Sequence, residues 1–423
     1  MSNLKRYRFC DLYTMSSGIS STKEQAGHGS PFLSFSVTFN NYFVPDELTD
    51  LMATSDKEKE IYSIKSGDIF LTRTSEVVDE LAMSCVATKD YAGASYSGFL
   101  KRLRPTQTDI TYSKFMAFYL RSPMFRKTMT NNAVMTLRAS LNEAIFSYLH
   151  LLLPDFDDQI KAGDLLYLLN EKIELNNRIT AELEAMAKIL YDYWFVQFDF
   201  PDANGKPYKT FGGKMVYNPT LKRKIPEGWE VNKLLEITSA IRRGVSPKYT
   251  EKGGISVLNQ KCVREHRISF EDARRHQAEI RTDDDRLLKI FDVVVNSTGV
   301  GTLGRVAFVK RLLEEKTTVD SHVSIVRADS EKISPQYLAW TMIRYQPIIE
   351  AAANGSTGQV ELSKSFLENI NVVIPAKKLT FGFESIVNPI VNEMATREAE
   401  NESLIDLRDW LLPMLMNGQV KVI

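Results

Sequence analysis

Ser113-Lys114-Phe115-Met116-Ala117-Phe118 and Pro335-Gln336-Tyr337-Leu338-Ala339-Trp340 read as one segment written twice. Phe115 falls on Tyr337, 222 residues later, and both runs predict an amphipathic helix that starts after a turn. Nearly the same offset carries Tyr7 to Leu12 onto Trp229 to Leu234, Gly67-Asp68-Ile69-Phe70 onto Phe291-Asp292-Val293-Val294, and Pro154 onto Pro375. Each copy keeps one order. β-rich runs (Phe32 to Phe39, Ile255 to Asn259) precede a strand near 68–72 or 292–296, then a short helix, then an apolar strand ending at a proline (Leu149 to Pro154, Ile370 to Pro375). The pattern predicts an α+β protein containing a mixed α/β domain twice.

A long helix of different character follows each copy. From Asp158 to Gln197 there is no proline, and Leu166, Leu169 and Ile173, then Ile179, Leu183, Met186, Leu190 and Tyr193, step by three and four as a heptad seam does. The second stretch, from about Pro389 to Leu415, carries Ile390, Met394, Leu404, Leu407 and Leu411 on a helical period. Pro389 suits a first helical turn, and Pro413 should end or kink the helix. A helix of about forty residues is about 60 Å long, too long for one small domain to cover, which favours a mutual coiled coil over two helices packed on their own domains. Asp199 to Glu227, rich in Gly, Pro and Asn, reads as a linker. The expected layout is a first domain over 1–156, a helix over 157–198, a linker over 199–228, a second domain over 229–378, and a second helix and tail over 379–423.

With 423 residues the chain is long enough for two or three domains, and its 53 basic and 53 acidic side chains cancel. Any grip on nucleic acid must therefore come from local patches. Cys10, Cys85 and Cys262 lie far apart without C-x-x-C spacing, which fits a reducing cytoplasm, and neither a signal-peptide pattern nor an apolar run of membrane-spanning length is present.

The one catalytic-looking motif is Gly299-Val300-Gly301-Thr302-Leu303-Gly304, a formal G-x-G-x-x-G. A dinucleotide fingerprint needs a helix to open at its third glycine, whereas Arg305-Val306-Ala307-Phe308-Val309 is β-branched and alternating, so the glycines predict a turn between strands. Asp283-Asp284-Asp285 reads as a solvated loop rather than a metal cluster, and His28, His150, His266, His276 and His322 show no ligand spacing. No catalytic residue and no metal ligand is assigned. Basic and amide side chains in turns of both copies remain: Arg73, Lys101 and Arg102 in the first, and Arg242, Arg243, Lys248, Tyr249, Gln260, Lys261, Asn296, Thr298 and Arg305 in the second. Arg, Lys, Asn and Gln can read base edges, and hydroxyls can hold phosphates, so these twelve form the candidate DNA-binding set.

The strings Leu169-Asn170-Glu171-Lys172-Ile173-Glu174-Leu175-Asn176-Asn177-Arg178, Glu182 to Ala187 and Tyr191-Asp192-Tyr193-Trp194-Phe195-Val196-Gln197-Phe198-Asp199-Phe200, with Gly212-Gly213-Lys214-Met215 and Ile225-Pro226-Glu227-Gly228-Trp229, resemble the specificity subunits of type I restriction and modification systems over nearly the whole chain. Asn296 to Arg305 is similar to a turn of that family's recognition domains; Thr72-Arg73-Thr74-Ser75-Glu76 of the first copy lacks its glycines. The resemblance implies two target recognition domains, each reading half of a bipartite double-stranded DNA sequence and held apart by the two long helices, packed as an antiparallel coiled coil. It implies docking of two methyltransferase subunits, with restriction subunits joining them, and leaves S-adenosylmethionine and ATP to those partners. The competing readings are a coiled-coil adaptor with two protein-binding heads and a nucleotide-dependent enzyme using the glycine turn.

Overall fold

Two sheets of the same strand order answer the repeat. The computed structural model describes residues 4–75, 80–132, 139–140, 143–277, 285–299, 301–353 and 361–422. In the first copy Tyr13–Ser17, Leu100–Pro105, Ile69–Thr72 and Ser84–Val86 form a four-stranded antiparallel sheet in that order. In the second, Thr238–Arg243, Val323–Ala328, Val293–Asn296 and Val306–Phe308 do the same. A two-stranded ribbon closes each copy, Lys5–Arg8 with His150–Leu153 and Glu230–Lys233 with Asn371–Ile374. A parallel pairing also recurs, Phe32 with Ser95 and Ser256 with Thr317. The chain is α+β.

Both sheets are covered on both faces. Ile69 and Leu71 enter one core and Phe70 another, as Val293 and Val295 enter one and Val294 another, which is why both strands read as unbroken apolar runs. An ion pair buried beside each sheet is duplicated too: Arg104 donates to Asp68 at 2.6 and 2.8 Å, and Arg327 to Asp292 at 2.6 and 2.8 Å. The preceding residue has a left-handed backbone in both cases, Gly67 at φ 85° and Phe291 at φ 66°. Phe32 to Phe39 is not β throughout: the strand is Ala26–Leu33, and Phe35–Asn40 is a helix whose first turn is capped by the Ser34 hydroxyl.

The chain divides into two compact units, Met1–Asn176 with Glu400–Ile423, and Asn177–Ala399. The division falls inside both long helices, Phe156–Tyr191 and Lys377–Met416, rather than at their ends. In the first unit Phe9, Phe115, Phe118 and Leu151 pack with Leu166 of the first helix and Leu412 and Leu415 of the second. There the helices run antiparallel, Lys172 pairing with Glu400 and the Asn176 amide donating to Glu400 and Asn401, while Lys421, beyond the second helix, pairs with Asp158. In the second unit Tyr191, Trp194 and Phe195 pack with Phe383, Val387, Tyr337 and Trp229. No helix among the described residues is long and apolar enough to cross a membrane.

The seam differs from the expected one. Its buried stripe is Ala162, Leu166, Asn170, Ile173, Asn176, Thr180, Ala187 and Tyr191, while Leu169, Ile179, Leu183 and Leu190 are half-buried flanks. Met186 is 57% exposed and Tyr193 also faces outward; on the second helix Leu404 and Leu411 are half-buried and Leu407 is exposed. Asn176, Glu400 and Asn401 satisfy one another, so a polar centre is tolerated and the apolar side chains shift to its rim. The second helix also starts at Lys377, twelve residues before Pro389, and runs past Pro413. Both prolines are exposed, as are Ser385 and Asp409 one turn earlier, so water can take the carbonyls each proline leaves unbonded. The expected linker is packed: Met215–Asn218 and Arg223–Pro226 form a hairpin, Phe198, Phe200 and Ile225 enter the second unit's core, and Phe200 stacks on Trp229 with centroids 5.2 Å apart.

Candidate nucleic-acid interface

At one end of the second unit's sheet, four stretches of chain converge. Strand Thr238–Arg243 ends in an arginine whose guanidinium pairs with Glu361 and lies 3.4 Å from the Leu362 carbonyl. Strand Val293–Asn296 runs on to Thr298, which bridges to Glu361 and meets His322 Nδ1 at 2.7 Å through its hydroxyl. His322 is held in turn by its own N–H, donated to Asp320 at 2.8 Å; burial pushes the Asp320 carboxyl up from its ordinary value. The Gln260 side chain lies over Gly299, where a Cβ would strike it. Arg243, Thr298 and Gln260 are thus brought into one neighbourhood with Glu361 and His322, which sequence reasoning missed. His322 had a signal in Asp320-Ser321-His322, an Asx turn between two apolar strands. Glu361 had none.

Close backbone approach marks this end of both sheets. A Cβ on Gly244 would collide with the carbonyls of Val319 and Asp320, and one on Gly18 with those of Tyr96 and Ser97. Next to these glycines the registers match: Arg243 opposes Ser324 in the second unit, and Ser17 opposes Lys101 in the first. The rung carries a cation in both copies, but on opposite strands of the pair. Lys101 donates to the Ser17 hydroxyl at 2.7 Å. Arg73 is tied by its backbone N–H to the Phe99 carbonyl at 2.8 Å, which sets it beside a phenyl ring that is 65% exposed. Phe99 is a third omission, and an exposed ring can meet sugar or a thymine methyl.

The remaining candidates fall elsewhere. Arg102 is buried, donates to the Ser63 carbonyl at 2.8 Å and lies over the Tyr96 ring, so it supports the domain from inside. Asn296 is buried as well, its amide donating to the carbonyls of Gln260 at 2.9 Å and Thr302 at 3.1 Å, and it shapes the turn without being free to read a base. Lys261 sits in a one-turn helix capped by Asn259. Lys248 and Tyr249 belong to a smaller sheet, where the Arg274 guanidinium stacks 4.8 Å from the Tyr249 centroid. Arg242 points to Asp285, the described member of the acidic run; Asp283 and Asp284 lie outside the described residues, as do Glu76 and Val300. Arg305 donates to the Gly301 carbonyl at 2.9 Å and lines a cleft with Glu184, Lys188, His266, Gln346 and Glu350.

The glycine turn has a packing explanation. Gly304, at φ 81°, sits so close to Glu350 that a Cβ would strike that residue's backbone, and strand Val306–Phe308 follows at once. No helix opens there to receive a pyrophosphate.

No protein-family model matches the chain. Among curated proteins it is 24% identical over 322 residues to the type I restriction enzyme HindI specificity subunit of Haemophilus influenzae, covering 65% of this chain and 70% of that one. It is 24% identical over 285 residues to the type I restriction enzyme MjaIX specificity subunit of Methanocaldococcus jannaschii, covering 64% of this chain and 60% of that one. The chain is related to type I specificity subunits. A solved type I restriction-modification S subunit from M. genitalium has the same fold, with a TM-score of 0.61 at 14% identity, covering 98% of this chain and 96% of that one. The duplicated sheets and paired helices are therefore those of a type I specificity-subunit fold.

Proposed function

We propose that this chain is the DNA-reading subunit of a type I restriction and modification complex, in which each unit recognises one half of a split target in double-stranded DNA. The observation that carries the reading is the duplicated sheet end, where a cation occupies the same rung beside a tightly approached glycine in both copies. Two readers of one architecture with different side chains suit two half-sites of different sequence. Lys101, Arg73 and Phe99 in the first unit, and Arg243, Thr298, Gln260 and His322 in the second, are the groups assigned to DNA. The chain itself performs no chemistry in this reading. Two methyltransferase subunits, which bring S-adenosylmethionine, dock on it, and restriction subunits that use ATP join where the host encodes them. The exposed apolar residues of the helices, Leu168 and Trp410 in the first unit and Met186 and Ile189 in the second, suit such docking. The complex works in the cytoplasm.

Mapping methylated adenines in the host genome tests this directly. The expected result is a split motif with an undefined centre that disappears when the gene is deleted. A contiguous motif, or a methylome unchanged by deletion, overturns it.

A further inference from the structure

The second recognition domain meets the long helices through an apolar root, polar contacts gathered near it (Tyr191 with Thr341 at 2.9 Å, Arg344 with Asp192 at 3.0 Å, Lys377 with the Glu331 carbonyl at 2.7 Å, and Ser334 with Glu384), and two ion-paired contacts farther along the helices, all inside the second unit. On the first helix, Glu184 lies 2.6 Å from Lys188 Nζ and 2.9 Å from His266 Nδ1. His266 closes the two-residue turn of a hairpin, Val263–Arg264 with Arg267–Ile268, in which Glu265 and His266 have φ of 50° and 59°. Such a turn favours Asn-Gly; two bulkier residues held there need outside support, and the contact with Glu184 supplies it. On the second helix, Glu398 lies 2.8 Å from Lys310 Nζ, and the two side chains are 18% and 3% exposed. Lys310 stands two residues beyond strand Val306–Phe308 and passes over the Phe308 ring.

Charged contacts of this burial add little net stability, because desolvation offsets attraction, but each leaves a poorly solvated charge unpaired if the domain turns away, and so discriminates strongly between orientations. The domain's root lies among Phe195, Tyr337 and Phe383, with the nearby polar contacts, and forms one region of attachment. The two ion-paired contacts grip parts of the domain distant in sequence, one on each helix, and add points of attachment away from that root.

We infer that His266 with Glu184 and Lys188, and Lys310 with Glu398, are positioning residues that set the angle at which the second recognition domain is held on the helix pair, and thereby restrict the gap accepted between half-sites. The inference rests on the DNA-reading function above. A shift of about 3.4 Å at the reading face equals one base pair, so a small rotation suffices to admit a neighbouring gap.

The test uses the full chain assembled with its methyltransferase, acting on a pool of duplexes that carry both half-sequences at every gap from four below to four above the native one. Wild type should methylate one gap. H266A and K310M should each raise the gaps one base pair shorter and longer from background to within tenfold of the native gap, with both half-sequences unchanged. K310E combined with E398K should restore the single gap. H266Q, whose amide can still donate to Glu184, should stay close to wild type, and if H266A does not fold then E184Q is read in its place. Variants that keep a single gap at undiminished rate overturn the inference, as does a uniform loss at all gaps in a folded variant, which would make the contacts merely structural. Failure of the DNA-reading function itself would look different: wild type would then show no preference for the paired half-sequences at any gap.

Discussion

Glu184 makes one prediction at the scale of a single residue. Burial pushes its carboxyl up, but hydrogen bonds from His266 and Lys188 outweigh this and hold it down at about 2. A carboxylate lowered in the folded state stabilises the fold fully above its ordinary value near 4.5, and that contribution fades as pH falls towards 2. Denaturant unfolding between about pH 2 and 5 should show stability falling with acidity, and E184Q should flatten that slope; an equal slope in the variant would count against the contact. A second prediction concerns the repeated ion pair. Asp292→Ala strands the Arg327 guanidinium in the interior and should cost about 3–5 kcal/mol, with Asp68→Ala costing similarly in the first unit, as read from denaturation midpoints. At the proposed interface, Lys101→Ala and Arg243→Ala should each weaken binding. A side chain that holds a phosphate takes about one unit of salt slope with it when removed, whereas one that reads a base costs about 1–3 kcal/mol at its own half-site. Residue types in the sequence showed which side chains could meet DNA, not which do. Arg102 and Asn296 had suitable chemistry yet lie inside, because both sheets are covered on two faces and alternation along the strand cannot separate outward from inward. Phe99 escaped notice for the opposite reason, since an aromatic next to an apolar residue reads as core, whereas it sits in the turn before Leu100–Pro105.

Among the elements, the long helices were visible in the sequence by period, but their seam was not. Spacing by three and four is satisfied by two adjacent stripes, and the choice between them is made across the pair: Asn176 donates to Glu400 and Asn401 at 2.8 and 2.9 Å, which pulls the polar stripe inward. The single change Asn176→Leu should destabilise the chain by about 1–3 kcal/mol, because buried polar groups on the facing helix lose their donor. Replacing Asn176 and Asn401 together by Leu should recover much of that loss or exceed wild type, while loosening the register that the amides select. A double-mutant cycle by thermal unfolding measures both; additive effects would mean the amides are not coupled. The prolines misled for a related reason. Whether Pro389 starts a helix or sits within one depends on which face turns to water, and that is a tertiary fact.

For the whole molecule, the repeat at an offset near 222 residues indicated two domains of one architecture through its matched helices, strands and prolines; that Asp–Arg pairs and close-approach glycines recur with them is visible only in the structure. The helix pair as spacer gives a further prediction. Since the helices are partnered, both must lengthen: one heptad inserted after Asn176 and another after Ala399 adds about 10.5 Å to each, or about three base pairs of gap, with the half-sequences retained. Methylation confined to the original gap at an undiminished rate would show that the helices do not set the spacing. The sequence did not reveal that Asp199 to Glu227 is packed, because Gly, Pro and Asn mark turns equally in tethers and in folded hairpins.

The division of the chain also sets an order of assembly during synthesis. Residues 177–399 are contiguous, so everything that unit needs is synthesised before Glu400, whereas the core around Phe9 and Phe115 waits for Leu412, Leu415 and Met416. The unit whose synthesis begins first is completed last, because its two parts are separated in sequence by the whole of the other unit. A chain truncated at Ala399 should protect the amides of the later domain from hydrogen exchange while those of strands Ile69–Thr72 and Leu100–Pro105 exchange freely, because the first core then lacks the side chains that the far end of the second helix brings to it.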